Sequence, residues 1–416
     1  MNDIKTIARS TGSVGNAKLI NRLNKINILN LIRDGKAATR AEAARISGLS
    51  APTVTRLVNS LINVEKLIVE SGTGTSKGGR NPIILDFDGT NSFVIGIDLG
   101  TTSIKGVLTN LNAEIICELS TPTLIEEGAD RVLKQALEII NDLCQESKVK
   151  GKRIFGVGLA VAGLINRRKD IVEFSPDFHW HDVDIKALLG SACDRPIIFD
   201  NVTRMMAMGE LQHGVGKKFR DFIFVNVGYG IGAGLVLNRE PYFGSFGMAG
   251  EFGHITLEKD SDIQCACGNY GCLEALASGH AIAERARREL EGGAKSILVE
   301  QVGGDLSKIT ARMVADAAKT GESFSSRVFD EAAEYLGIGL ASLVNLLSPQ
   351  AIVLGGGVAQ NGDLLFERVR KTVTARSINN ISREVEILPA TFGIRAASMG
   401  AASVVLDYVL HLQPIE

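Results

Sequence analysis

Long apolar runs are absent from this sequence of 416 residues. No stretch reaches the roughly 18 consecutive apolar residues that a membrane-spanning helix needs. The longest candidate, 222–237, is interrupted by Asn226 and four glycines, which favours buried strands around a turn. The amino-terminal residues also lack the apolar core of a secretory signal peptide. These absences predict a cytoplasmic protein without a membrane partner.

Cysteine is scarce as well, and its distribution is uneven. Three of the six cysteines fall within eight residues, and with His254 they form the pattern H-x10-C-x-C-x4-C, which comprises His254, Cys265, Cys267 and Cys272. In a cytosolic chain such spacing favours metal binding over disulfides. One imidazole and three thiolates complete a closed tetrahedral Zn²⁺ site, which is structural because no position remains for water. The alternative is a set of reduced core cysteines beside an unrelated histidine.

The net charge of −2 conceals an asymmetry. Residues 1–80 contain 13 basic and 5 acidic residues, whereas the remainder contains 32 basic and 42 acidic residues. A basic module joined to an acidic body indicates that one end of the chain meets a polyanion.

The basic end has the pattern of a helix-turn-helix. Apolar spacing predicts a helix over 19–33, and a capping box at Thr39 and Glu42 predicts the start of a second. Ser50 caps a third helix, in which Pro52 is tolerated in the first turn. The apolar stripe of the third helix is Val54, Leu57, Val58 and Leu61.

The opposite side of the third helix carries polar groups suited to phosphates and base edges in a major groove. A basic, glycine-rich segment between two predicted strands, 67–70 and 83–85, is typical of a wing that reaches a backbone or minor groove. We therefore predict a DNA-binding domain over 19–88, preceded by an arm over 1–18; the alternative is a three-helix packing element. The predicted DNA contacts are Thr53, Thr55, Arg56, Asn59, Lys77 and Arg80.

From residue 92 onward, apolar strands alternate with helical stretches, which indicates an α/β fold. Strands predicted over 93–98 and 104–108 enclose a turn with hydroxyls at its tip. Glycine clusters at 228–234 and 355–357 would allow backbone amides to approach a ligand closely.

The order and spacing of these segments resemble the ROK family, named for repressors, open reading frames and kinases. The resemblance extends from about Leu19 to Leu410 and includes the histidine and three cysteines. It is closest to the repressor branch, of the xylose or N-acetylglucosamine type, which carries an N-terminal winged helix-turn-helix. The resemblance implies a two-lobed, actin-like and sugar-kinase-like (ribonuclease H-like) body. Its first lobe is expected over 91–205 plus 390–416, and its second, with the zinc site, over 206–389.

The same resemblance implies a sugar pocket beside the zinc site. Carboxylates and amides hold adjacent sugar hydroxyls through paired hydrogen bonds. By position, the implied sugar contacts are Asn201, Glu251, His254, Glu274 and, in place of a usual asparagine, Asp177.

Kinases of the family place a general base where this chain has Val202, which cannot accept a proton. We expect Asp200 to lie on the same face of a strand as Val202 but about 7 Å away. In the second phosphate loop, Tyr229 replaces a usual threonine. The sequence therefore predicts a body that is not an enzyme and does not use ATP.

These features predict a sugar-responsive transcriptional repressor that binds a palindromic operator as a homodimer or tetramer. An active sugar kinase with a DNA-binding head, or a regulator whose body docks another protein, remain alternatives. The sequence leaves open which sugar binds, and whether that sugar acts as inducer or corepressor.

Overall fold

The computed structural model describes residues 17–75, 81–146, 149–190, 193–378 and 384–412. The amino-terminal domain, predicted over 19–88, is called the head below, and the remainder of the chain is called the body. The described part of the head contains three helices followed by an antiparallel pair of strands. These elements are α1 (Ala17–Arg33), α2 (Arg40–Ser47), α3 (Ala51–Asn63), β1 (Ile68–Thr73) and β2 (Ile83–Phe87).

The caps predicted for the head helices are confirmed. The Thr39 hydroxyl accepts a hydrogen bond from the Glu42 amide, and the Glu42 carboxylate accepts one from the amide of Ala38. Gly48 ends α2 in the left-handed conformation (φ 72°), which glycine adopts without a steric penalty. Ser50 caps α3, whose predicted apolar stripe is fully buried. Both ends of α2 and the start of α3 therefore have a local chemical cause.

The first lobe of the body is built on a five-stranded sheet in the order β10-β6-β3-β4-β5. Strands β3 and β4 pair antiparallel, so the hairpin predicted at 98–103 is confirmed. Helix α4 covers one face of the sheet, and a three-stranded sheet of β7, β8 and β9 lies nearby. The elements are β3 (Ser92–Leu99), β4 (Ser103–Asn110), β5 (Ile115–Pro122), α4 (Gly128–Cys144), β6 (Arg153–Val161), β7 (Leu164–Asn166), β8 (Ile171–Ser175), β9 (Trp180–Val183), α5 (Ile185–Gly190) and β10 (Ile197–Asn201).

The second lobe repeats this plan with a five-stranded sheet in the order β13-β12-β11-β14-β15. Its largest apolar cluster joins the sheet to the long helix α11. The elements are α6 (Val202–His213), β11 (Phe222–Val227), β12 (Ile231–Leu237), β13 (Glu240–Pro241), α7 (Leu273–Ala277), α8 (Gly279–Glu291), α9 (Leu298–Gln301), α10 (Ala311–Lys319), α11 (Ser323–Leu347), β14 (Ala351–Gly355), α12 (Asp363–Arg376), β15 (Glu386–Pro389) and α13 (Ala396–Asp407).

Helix α6 connects the lobes. It begins directly after β10 and packs against α13 as well as against β11 and β12 of the second sheet. The lobe boundary expected between 205 and 206 falls inside this helix.

Helix α13 is the central helix of the body. It lies on the face of the first sheet opposite α4, where glycines permit backbone contact: a Cβ at Gly96 or Gly158 would lie 2.0 or 2.1 Å from a carbonyl oxygen of α13. The segment Gly393–Leu410 has the length and composition of a membrane-crossing helix, but 67% of it is buried inside the protein. We therefore interpret it as a core helix.

The head shares an apolar cluster with this central helix and contacts the segment that continues it. The apolar residues of α1, α3 and β2 belong to the same buried cluster as Met399, Val405 and Leu406 of α13. The Asn30 amide donates a hydrogen bond to the Leu410 carbonyl (2.9 Å), just beyond α13. Head and body thus share one apolar core.

Candidate functional site

A cleft of about 240 Å³ opens between the two lobes. The first lobe supplies the turn around Gly163 and the end of β10, and the second supplies the β11–β12 turn and the loop before α7. The structure brings all the residues implied as sugar contacts into the lining of this one cleft: Asp177, Asn201, Glu251, His254 and Glu274.

Asn201 is fixed because it caps α6. Its carbonyl oxygen accepts hydrogen bonds from the amides of Thr203 (2.9 Å) and Arg204 (3.4 Å). Its Nδ2 donates to the Gly163 carbonyl (2.9 Å). A side-chain amide has two N–H donors, so one remains for a ligand in the cleft.

Glu274 is held from the opposite wall. Its Oε2 accepts a hydrogen bond from the Ile231 amide (2.7 Å). A Cβ at Gly230 would lie 2.4 Å from the same oxygen, so only glycine allows this approach. Glu251 Oε2 lies 3.9 Å from His254 Nε2. Two carboxylates and an imidazole are therefore presented together on the second lobe.

The cleft is electrostatically negative. Burial, followed by repulsion from Glu274, raises the pKa of Asp177 above its usual value. Burial also raises the pKa of Glu251, while His254 and Arg204 oppose the rise. Hydrogen-bond donors from a ligand would relieve both carboxylates.

The structure differs from the sequence expectation at the position of the kinase base. We expected a strand across 200–202, but β10 ends at Asn201 and Val202 is the first residue of α6. Val202 lines the cleft, whereas Asp200 lies outside that lining and borders a separate cavity. The reason is that Asp200 pairs with Arg204, one helical turn further on, whose Nε donates to its Oδ1 (3.0 Å).

His254, Cys265, Cys267 and Cys272 form a compact set of donors. Their ligand atoms all lie within 4.8 Å of one another. Cys265 Sγ is 3.6 Å from His254 Nδ1, and the Cys267 and Cys272 sulfurs are 3.8 Å apart. A tetrahedral zinc site, with Zn–S near 2.3 Å and Zn–N near 2.0–2.1 Å, has edges of roughly 3.6 Å (S–N) and 3.8 Å (S–S). The arrangement therefore fits a zinc ion.

The thiols would change their protonation state on binding a metal. Burial raises the pKa of Cys265 and of Cys272, so without a cation both would stay protonated at neutral pH. A bound cation reverses that preference because thiolates are its ligands. Since His254 would bind through Nδ1, its Nε2 would face Glu251 and the cleft.

A third cavity, of about 570 Å³, lies beside the Gly228–Gly230 turn and Gly357. The Tyr229 ring stands at its edge, 61% exposed, with its centroid 5.1 Å from that of His280. The resemblance implies phosphate and adenosine contacts in these two glycine segments. The tyrosine occupies the turn where a phosphate-facing hydroxyl was expected.

On the head, the predicted recognition residues share the outer face of α3. Thr55, Arg56 and Asn59 are exposed and Thr53 is half-buried. Arg56 donates to the Asn21 side chain of α1 (2.7 Å). Lys77 and Arg80 lie outside the described residues.

Sequence reasoning missed Arg40 on this surface. Its guanidinium donates to Asn59 (3.1 Å) and to Glu70 (2.9 Å), and so links α2, α3 and β1. The signal was a basic residue at the first position of α2. Reasoning also missed Phe174 and Asn226 in the lining of the cleft.

A zinc-compatible centre beside a cleft between two similar α/β lobes is the architecture of a sugar-kinase-like protein. The sequence matches the ROK family over residues 94–408. It is 32% identical over 397 residues to a putative xylose repressor of Caldicellulosiruptor sp. (strain Rt8B.4), covering 95% of this chain and 98% of that protein. The chain therefore belongs to the ROK family.

Two solved structures bear out the fold. The crystal structure of a ROK family transcriptional regulator, a homolog of the E. coli MLC protein, superposes with a TM-score of 0.80 at 24% identity, covering 94% of this chain and 97% of that one. A ROK family glucokinase from Streptomyces griseus, in complex with glucose and AMPPNP, gives a TM-score of 0.67 at 28% identity. It covers 75% of this chain and 98% of the kinase. The likeness to the regulator includes the head, and that to the kinase spans three quarters of the chain.

Proposed function

We propose that the protein is a sugar-responsive transcriptional repressor whose body binds a sugar without phosphorylating it. One observation carries the proposal: the five expected sugar contacts line one interlobe cleft that has Val202 where the kinases have their base. The likeness to a putative xylose repressor over nearly the whole of both chains supports it. A repressor acts at the chromosome, so the proposal implies a cytoplasmic protein.

DNA would be read by the outer face of α3, through Thr53, Thr55, Arg56 and Asn59, with Lys77 and Arg80 on the wing. A homodimer, or a tetramer built from dimers, would place two such helices in successive major grooves of a palindromic operator. Arg56→Ala should weaken specific operator binding and leave sugar affinity intact. Unchanged operator affinity would refute the assignment of α3.

Sugar would act through the contact between the lobes. The cleft takes groups from both lobes, so a bound sugar favours the interlobe angle at which both sets are engaged. Helix α6 is capped by Asn201 in the cleft and packs on α13, which shares an apolar cluster with the head. A coupling free energy of about 1–3 kcal/mol corresponds to a change in operator affinity of about 5- to 150-fold.

The metal in this proposal is a structural Zn²⁺ held by His254, Cys265, Cys267 and Cys272. When bound, it would neutralise thiolate charge and cross-link the loop before α7. The chain's own residues then orient the sugar: His254 through Nε2, and Glu274 through its fixed carboxylate.

The first experiment is binding of purified protein to DNA from upstream of its own gene, at fixed salt, with and without each sugar of a panel that includes xylose and glucose. A several-fold shift with one sugar supports the proposal and shows whether that sugar induces or corepresses. Salt-sensitive DNA binding that no sugar changes would favour a body that docks another protein. If the protein does not bind this DNA specifically, the proposal that it is a repressor is refuted.

A sugar kinase with a DNA-binding head is the second candidate. The cavity beside Gly228 and Gly357 favours this second candidate, as does the likeness to a glucokinase solved with glucose and AMPPNP. A coupled ADP-release assay with the same sugar panel separates the candidates. If the wild-type protein phosphorylates a sugar and Val202→Asp does not increase the rate, a residue other than position 202 supplies the general base.

A further inference from the structure

The charged side chains that line the cleft are mainly carboxylates. Three carboxylates line it, from Asp177, Glu251 and Glu274, and no lysine or arginine is found among the described residues of the lining. The guanidinium of Arg204 acts on Glu251, but it is paired with Asp200, and both residues border a separate cavity. The negative charge of the cleft is thus not neutralised by a cation within it.

Hydrogen-bond acceptors also outnumber donors among the side chains of the cleft. Carboxylates only accept hydrogen bonds, and Glu274 uses one oxygen on the Ile231 amide. The amide of Asn201 retains one N–H donor, and His254 offers at most one. Most polar side chains in the cleft are therefore hydrogen-bond acceptors, which bind hydrogen-bond donors on a ligand.

Asp177 is the carboxylate that faces the others from the first lobe. Glu274 repels it, while the imidazoles of His254, His179 and His280 act in the opposite direction. A ligand held between the lobes would have Asp177 on one side and Glu251 with Glu274 on the other. A positive group at that place would attract carboxylates from both lobes.

We propose that this cleft selects sugars by charge: it favours an aldose with a protonated amino group over the neutral sugar and rejects sugar phosphates and uronic acids, with Asp177 as the residue that sets the preference. The inference rests on the proposed function, because it assigns the ligand class of the same cleft. A charged hydrogen bond is stronger than a neutral one by roughly a factor of ten in affinity. A phosphate or carboxylate would instead meet three like charges.

The test is calorimetric titration of the full-length protein at about pH 6.5, where the amine of glucosamine, which is comparable to an α-amino group with a pKa of about 8, is protonated. The ligands are xylose, glucose, glucosamine, glucose 6-phosphate and glucuronate. We expect glucosamine to bind roughly tenfold more tightly than glucose, and neither anion to bind measurably. In Asp177→Asn the ratio of the two affinities should fall at least about threefold. Asp182→Asn, an exposed aspartate on β9, is the matched control and should leave the ratio unchanged.

A second readout does not depend on how the variant folds. Raising the pH to about 9 deprotonates the ligand amine, so the preference of the wild-type protein for glucosamine should disappear. Equal affinities for glucose and glucosamine at about pH 6.5, binding of glucose 6-phosphate or glucuronate as tight as that of glucose, or a ratio unchanged by Asp177→Asn would overturn this inference and leave the proposed function standing. Binding of none of the sugars would overturn both.

Discussion

At the residue scale, Asp98 shows what burial does to a carboxyl group. It lies near the end of β3 opposite Lys105, and burial raises its pKa to about 6 although Lys105 opposes the rise. Between pH about 4 and about 6 the folded protein binds more protons than the unfolded chain, so the stability contribution of Asp98 falls as the pH rises through this window.

Asp98→Asn should therefore raise the free energy of unfolding at about pH 7.5, by on the order of 2 kcal/mol, and have little effect near pH 4. Denaturant unfolding at both pH values measures the difference. The exposed Asp86→Asn on β2 is the control and should change neither value. An equal effect of Asp98→Asn at both pH values would contradict the argument.

The four donors of the metal centre yield a second prediction at this scale. Cys272→Ser removes one ligand of a closed four-ligand site and leaves only three ligands, so both zinc content and sugar affinity should fall. Elemental analysis measures the first and calorimetry the second. Cys117→Ser, on β5 in the first lobe, is the control. Full zinc content in Cys272→Ser would exclude this ligand set.

At the scale of elements, the sequence predicted what depends on local chemistry. The caps at Thr39 and Ser50, the hairpin after Asp98 and the spacing of the metal ligands could be predicted because each involves neighbouring residues. The helix start at Val202 was not predicted although its causes are also local, because Asn201 caps the helix and Asp200 pairs with Arg204 four residues on. The fit of α13 was not predicted either, because it depends on glycines that are distant in the chain.

That fit gives a prediction for Gly400. A Cβ there would lie 2.2 Å from the Met205 carbonyl oxygen and 2.8 Å from the next amide, so Gly400→Ala would force α6 and α13 apart. We expect a loss of about 1–3 kcal/mol in the free energy of unfolding, as for other overpacked cores. Gly357→Ala is the control, because a Cβ at that position has open space around it. Equal stability of the two variants would show that the helices can separate at no cost.

At the scale of the whole molecule, the head is part of the apolar core of the body. A head on a free linker could not sense the interlobe angle, whereas a head seated on α13 must follow any movement of that helix. One polar contact reinforces the apolar one. Glu65 of the head, whose side chain is 3% exposed, pairs with Lys25 of α1 and lies 3.7 Å from Arg153 at the start of β6.

Arg153→Gln removes the body's side of this contact and leaves Glu65 paired with Lys25. Arg153 is partly exposed, so we expect a stability change within about 1 kcal/mol. Sugar affinity should stay unchanged because Arg153 is not part of the cleft lining. The ratio of operator affinities with and without sugar should move toward one, since the head would be attached less firmly to the first lobe. Parallel titrations with operator DNA and with sugar measure both quantities, with the exposed Lys150→Gln as control. A ratio equal to that of the wild type would show that the apolar contact with α13 alone transmits the signal.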